Sequence, residues 1–285
     1  MTVMDTDERE LSPEQAFSLL GNDTRIGIIQ ALWKADEPLS FSDLHDRVDI
    51  RDSGQFNYHL NKLVGLFVRQ ADGKYELTYA GSQVIGAILS GTYTQRAEAE
   101  RFELDTFCPD CGTELTATYE EETVTVRCET CDENRSTFRL PPGAFEGRTE
   151  DELPKTFERW LLNVFSLMAD GICLRCSGKT VGSLVTDTEY FFSDQEAGIE
   201  FICQRCGDHA AGNIETYLLR HPAVIAFHYD HGIDLTTASV WELEWLHAES
   251  ATIVSEDPLV VSSSITLDGD ELTLTVDEEL AVQVE

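Results

Sequence analysis

All eight cysteines of the chain fall into Cys-x-x-Cys pairs: Cys108/Cys111, Cys128/Cys131, Cys173/Cys176 and Cys203/Cys206. Such a knuckle turns tightly enough to aim two thiolates at one point, so two knuckles complete a tetrahedral sulfur site. Thiolates suit Zn2+, and four of them leave no open coordination position, which makes the expected chemistry structural and not catalytic. Sixteen residues separate Cys111 from Cys128, and 26 separate Cys176 from Cys203. The simplest assignment is two separate four-cysteine Zn2+ sites; spacing alone leaves an interleaved pairing open. A redox use of one pair would want a βαβ setting, and the flanks lack one. His209, three residues past Cys206, is expected to be a bystander.

The segments around the cysteines read as strands. Glu114–Tyr119 and Thr123–Val126 alternate in polarity, and Phe138–Leu140 follows as a third strand. About 35 residues cannot bury a sufficient core alone, so a bound ion must supply the missing stability, the logic of a zinc ribbon. Around the second set, Thr180–Val185, Tyr190–Phe192 and Gly198–Ile202 read as strands of a ribbon with a longer insertion. Pro141-Pro142-Gly143 and the acidic run to Glu152 read as a linker. Pro154–Ala169 is an amphipathic helix carrying Phe157, Trp160, Leu161, Val164, Phe165 and Met168. Helices follow at Ile214–Leu219 and Pro222–Tyr229, and the tail from Ala251 alternates into a hairpin around Asp268-Gly269-Asp270. His221, His228, His231 and His247 cluster here. Packing and capping are the expected roles, with a ligand or metal site at His228 and His231, beside Asp230 and Asp234, as the rival.

Residues 12–90 read as four helices, a hairpin and a closing helix. Ser12-Pro13-Glu14-Gln15 is a capping box, Ser40 to Asp43 resembles another, and Asp72-Gly73 is a hairpin turn. In the helix opened by Asp52 or Ser53, Phe56, Leu60 and Leu63 share one face. The opposite arc carries Gly54, Gln55, Tyr58, Asn61 and Lys62, with Asn57 at its edge. Amides on a helix can read adenine in the major groove, and Tyr58 and Lys62 can reach bases or phosphates. Arg51 and Ser53 at the helix start, with Arg69 and Lys74 beside the hairpin turn, complete the candidate DNA-binding set. The rival reading is an ordinary solvated face; His59 is expected to pack at the core edge.

This order resembles a winged helix-turn-helix of the ArsR-like regulators over roughly residues 12–90. Leu20-Gly21-Asn22-Asp23-Thr24-Arg25-Ile26 looks like that family's entry to its second helix. Asn57 to Leu63 with Gly65-Leu66-Phe67-Val68 resembles its recognition helix and the turn into the wing, and Gly73 to Thr78 its wing return. The family's metal sensors carry cysteines in the helix before the recognition helix; residues 40–49 have none, so metal sensing there is unsupported. The resemblance implies a dimer on double-stranded DNA, with Gly81–Leu104 as a candidate dimer helix and a simple closing helix as its rival.

The 285 residues carry 20 Lys and Arg against 53 Asp and Glu, a net charge of −33, with five lysines in all. A diffuse acidic excess with few lysines resembles proteins of salt-accumulating halophilic archaea, whose salt screens self-repulsion. Residues 12–90 carry 7 basic and 10 acidic side chains, residues 101–285 carry 11 and 37, so the second half should face away from DNA. No apolar run is long enough to span a membrane and no secretory leader opens the chain, which predicts a cytoplasmic protein. No Ser-His-Asp set, Walker loop or GxGxxG turn occurs, so no enzyme activity is expected.

The expected fold class is therefore α+β: a winged helix-turn-helix domain followed by two zinc-ribbon-like modules embedded in a mixed α/β carboxy-terminal region. The expected divisions are an acidic disordered tail (1–11), the DNA-binding domain with its dimer helix (12–104), a zinc ribbon (105–141), a linker (142–153) and a second four-cysteine domain (154–285). The expected function is a transcription regulator whose carboxy-terminal half meets an effector or the transcription machinery. A winged helix followed by a zinc ribbon also resembles the archaeal general transcription factor E alpha subunit, which makes a basal adaptor the rival; a thiol redox sensor is a weaker third.

Overall fold

The structure is a computed structural model describing residues 11–95, 100–108, 110–186, 196–246 and 251–285. The chain divides into two compact units between Gln95 and Arg96. The expected acidic tail, the strand at Tyr190–Phe192 and His247 lie outside the described residues, apart from Leu11 of the tail.

The first unit runs α1 (Pro13–Ser18), α2 (Asp23–Trp33), β1 (Leu39–Ser40), α3 (Phe41–His45), α4 (Ser53–Leu63), β2 (Val68–Ala71), β3 (Lys74–Leu77) and α5 (Tyr79–Leu89). Side-chain caps start the helices: Ser12 and Gln15 form the reciprocal box on α1, and Asn22, Ser40, Asp52 and Thr78 cap α2, α3, α4 and α5. The three strands pair in the order β1-β3-β2. Asp72 (φ 52°) and Gly73 (φ 77°) both sit in the left-handed region, as a two-residue hairpin between right-twisted strands requires. Ile28, Ile29, Leu44, Phe56, Leu60, Leu63, Val68 and Ile85 fill the core. A Cβ on Gly81 would lie 2.2 Å from the Phe67 carbonyl oxygen, so only glycine lets the start of α5 pack this closely.

The second unit opens with β4 (Glu100–Phe107), β5 (Glu114–Glu120), β6 (Thr123–Cys128) and β7 (Glu133–Arg139), an antiparallel sheet in chain order. Two 3-10 turns lead into α6 (Leu153–Ala169). A second antiparallel sheet, in the order β10-β9-β8, contains β8 (Thr180–Val185), β9 (Gly198–Cys203) and β10 (His209–Asn213). Then come α7 (Ile214–Leu218), α8 (Pro222–Asp230) and a four-stranded sheet of β11 (Thr252–Glu256), β12 (Leu259–Leu267), β13 (Asp270–Asp277) and β14 (Val282–Val284).

Two expected divisions are corrected. Glu100–Leu104 does not extend a dimer helix: it is the start of β4, paired with β5 from Glu100↔Tyr119 to Glu103↔Thr116. Alternation in Arg101-Phe102-Glu103-Leu104, with Phe102 and Leu104 buried, wins over continued helix. Residues 142–153 are not a free linker. Phe145 lies 4.5 Å from the Tyr119 ring and 5.9 Å from Phe157, and Leu153 is buried. Proline and glycine break the strand there, but the aromatic side chain ties the turn to the sheet.

Helix α6 explains why the second unit has one core. Its Phe157 packs edge-on against Phe102 and Phe138 of the first sheet, while Phe165 packs edge-on against Phe201 of the second. Seventeen residues at about 1.5 Å each span both sheets. Cys108, Cys128, Cys173 and Cys203 all belong to this continuous apolar core. No helix among the described residues is long and apolar enough to cross a membrane.

Candidate metal centres and candidate nucleic-acid interface

Each knuckle is built by the same local device: the residue after its second cysteine takes a left-handed conformation. These are Gly112 (φ 69°), Asp132 (φ 58°), Ser177 (φ 54°) and Gly207 (φ 74°). In three knuckles the N–H of that residue closes the turn onto the first cysteine's carbonyl: Gly112 to Cys108 at 2.8 Å, Ser177 to Cys173 at 2.8 Å and Gly207 to Cys203 at 3.0 Å. The first cysteine's own N–H reaches five residues ahead, to Thr113, Gly178 or Asp208.

The knuckles pair first with second and third with fourth. Cys108, Cys111, Cys128 and Cys131 form one group and Cys173, Cys176, Cys203 and Cys206 the other, with all four Sγ atoms in each group within 4.8 Å of one another. Cross-knuckle Sγ separations are 3.9 Å (Cys108–Cys131), 3.4 Å (Cys111–Cys128), 3.7 Å (Cys173–Cys206) and 3.5 Å (Cys176–Cys203). Tetrahedral thiolates at a Zn–S distance of about 2.3 Å stand about 3.8 Å apart, so both groups are compatible with zinc.

The crowding has an electrostatic consequence that favours a cation. Cys111 is drawn down to about 6 by the hydroxyl and N–H of Thr113. Cys131 is pushed up to about 12, chiefly because its proton is held by the Cys111 and Cys128 sulfurs. In the second group Cys203 falls to about 6 through N–H bonds from Cys206 and Arg205, while burial pushes Cys173 up. Sulfurs this close cannot all ionise unaided; a divalent ion lets all four become thiolates.

The surroundings differ. Arg135, only 8% exposed, donates to Cys108 Sγ at 3.1 Å and pairs with Asp110 and Glu133. At the second group the Asp208 carboxylate stands 3.9 Å from Cys173 Sγ and takes Arg175 at 3.0 Å on the surface. A Cβ on Gly178 would lie 3.1 Å from Cys176 Sγ and 3.2 Å from Cys203 Sγ, so glycine is what admits the sulfurs there. Sequence reasoning missed Arg135, Gly178, Asp132 and Ser177. Only Gly112 and Gly207, the glycines directly after a knuckle, carried a readable signal.

Among the described residues no histidine joins a group of three or more potential metal ligands. The two cysteine groups are the places among the described residues where three or more ligand side chains converge. His228 is fully buried; its Nδ1 bonds the Val224 carbonyl at 2.8 Å, and its Nε2 accepts from Trp245 Nε1 at 2.9 Å. His231 bonds the Phe227 carbonyl and faces Asp270 at 3.3 Å, and His221 caps α8. These are packing and capping roles.

In the first unit, α4 buries Phe56, Leu60 and Leu63 and exposes Ser53, Gln55, Asn57, Tyr58, Asn61 and Lys62. Arg51 before it and Arg69 and Lys74 on the hairpin are also exposed. Lys62 Nζ lies 5.6 Å over the Tyr58 ring, and half-buried His59 meets Arg25 at 3.5 Å. Arg69 is already engaged by Glu76 at 2.8 Å, which the sequence did not signal. Asp52 places a carboxylate at the same end of α4, where it accepts from the Gln55 N–H at 2.7 Å.

Family comparisons divide the chain at nearly the same place. A family described as a domain of unknown function (DUF7347) matches residues 13–88, and another, described as a domain of unknown function (DUF7351), matches residues 105–282. No curated protein and no solved structure matches. The second match spans well over half the chain and takes in both four-cysteine groups, and the chain belongs to the DUF7351 domain family.

Proposed function

We propose that the first unit is a winged helix-turn-helix that binds double-stranded DNA, and that the protein regulates transcription with two structural Zn2+ ions bracing its second unit. The observation that supports this reading is α4: an apolar face fully buried, an opposite face of amides, one tyrosine and one lysine exposed, and a hairpin after it that carries exposed Arg69 and Lys74 beside Asp72 and Glu76. Gln55 and Asn61 are assigned to base edges, and Arg51, Lys62 and Lys74 to phosphates. Arg69 must exchange Glu76 for a phosphate, and Asp52 opposes the backbone, so affinity should depend on ions more gently than a purely basic face would. One α4 reads one half-site, and a two-copy assembly would read a palindrome.

Genome-wide crosslinking at native salt, followed by binding to the recovered fragments, tests the reading. Gln55→Ala with Asn61→Ala should cost about 1–3 kcal/mol per lost bidentate contact while leaving the fold intact. Undiminished binding overturns the α4 assignment, and occupancy at nearly every promoter would replace a regulator with a basal adaptor.

A further inference from the structure

Among the described residues the second cysteine sheet buries one face and leaves the other exposed. Thr180, Phe201 and Cys203 point inward, and Phe165 of α6 covers that side. Antiparallel register places the outward residues in rows. Val181 stands opposite Ile202, which stands opposite His209. One row along, Ile172 bridges to Lys179, whose carbonyl accepts from the Gln204 N–H at 2.9 Å. Directly opposed residues share a face, so Ile172, Val181 and Ile202 form an aliphatic centre, each 39–47% exposed. The outward face of the first cysteine sheet is different: its paired positions are Thr118↔Thr125↔Thr137, with Arg101 and Arg127 closed onto Glu129 and Asp132.

Cations rim the aliphatic centre. Lys179, opposite Ile172, shares this face, and Arg205 lies in the adjoining knuckle, its Cβ 2.9 Å from where a Cβ on Gly178 would stand; both are exposed and in no ion pair among the described residues. Arg175 is held by Asp208, and Glu200 at the far row is bonded by Ser183. The two knuckles thus carry three cations against one carboxylate in a chain of net charge −33. Scattered exposed apolar residues need no explanation, but an aliphatic cluster ringed by polar groups marks a contact surface. Among the described residues a single ring, His209, stands in these rows, where a tract of nucleobases needs a series of them, and bare phosphate would gain nothing from three aliphatic groups.

We infer that this face, Ile172, Val181 and Ile202 rimmed by Lys179 and Arg205, docks an acidic polypeptide segment that carries aliphatic side chains. The aliphatic centre supplies affinity and the cations choose the sign of the partner.

Methyl NMR of the zinc-loaded full chain tests this with a short synthetic peptide alternating Glu and Val, and with a Lys/Val counterpart. The Glu/Val peptide is expected to shift the methyls of Ile172, Val181 and Ile202, and the Lys/Val peptide is not. Val181→Thr with Ile202→Thr should weaken binding about tenfold or more while zinc content stays unchanged. Lys179→Glu with Arg205→Glu, both on the surface, should weaken it several-fold at low salt, and less in about 1 M KCl; this pair keeps the test open if the apolar variant misfolds. Absent shifts, equal shifts from both peptides, shifts from a single-stranded oligonucleotide instead, or peptide-free broadening that grows with protein concentration would each overturn the assignment, the last by placing a second copy there.

Discussion

The two four-cysteine centres share one knuckle geometry and differ in how their charge is balanced. Four thiolates around a divalent ion leave excess negative charge. At the first centre a buried guanidinium answers it directly, Arg135 bonding Cys108 Sγ. A carboxylate stands 3.9 Å from a sulfur at both centres, Asp110 from Cys108 and Asp208 from Cys173, but at the second the cation, Arg175, sits outside in water. The first centre also terminates a polar-faced sheet, whereas the second lies under an aliphatic, cation-rimmed one. Identical ligand sets therefore need not be equally robust or serve the same surface. The first holds a sheet with a polar outer face, and the second a sheet whose outer face exposes Ile172, Val181 and Ile202.

The largest test asks whether the centres are separable at all. Structural zinc contributes about 10–16 kcal/mol of apparent binding free energy in isolated finger peptides, so losing one ligand set should be decisive. Cys108→Ser and Cys203→Ser each remove a buried ligand from the same apolar core. Either substitution is expected to melt residues 100–285 as one transition, while residues 11–95, with their own core, keep theirs. Calorimetry with zinc counting checks this; two transitions within the second unit would break the single-core picture.

A smaller effect should separate the centres. Arg135→Leu strands Cys108 and Asp110 without their cation. Asp110 is half-exposed, so the loss is expected at about 1–3 kcal/mol, with faster zinc release to a chelator. Arg175→Ala removes a surface pair and should cost below about 1 kcal/mol. Equal release rates from the two variants would erase the distinction drawn from charge balance.

Legibility followed locality. Caps, the Asp72-Gly73 turn, α4 with its exposed face and the four knuckles are determined within a few residues, and each stands where spacing placed it. What sequence hid was decided by distant partners. Arg135 is 27 residues from the sulfur it bonds, and Glu76 pairs with Arg69 only because the hairpin register brings them opposite. Phe145 turned an apparent linker into core because an aromatic cluster from β4, β5 and α6 was waiting for it. Asp132 and Ser177 adopt left-handed backbone without glycine, so nothing in their identity announced the turn.

The smallest effect is pH dependence, and it should belong to the second centre's side of the unit. No histidine lies between His59 and His209, so the first cysteine sheet has none. Burial lowers the pKa of His228 below its ordinary 6.5, its neutral ring being fixed between Val224 and Trp245. Below that value the unfolded chain takes up a proton that the folded core refuses, so stability falls with falling pH until the depressed folded pKa is passed. Above it both states are neutral and the contribution vanishes. His231 acts oppositely: the Phe227 carbonyl and then Asp270 raise its pKa, so its stabilisation is complete below 6.5 and is lost as pH rises through the raised value. The two act in separate windows, His228 below 6.5 and His231 above it, so stability is greatest near that value. His228→Gln is expected to remove the acid loss below 6.5, and His231→Asn to flatten the loss above 6.5 while leaving the acid limb in place, read from urea unfolding with Trp245 near-ultraviolet dichroism while zinc content is held constant. Identical slopes in both variants would mean that neither histidine couples folding to protons, and acid would then distinguish the two centres only through their thiolates.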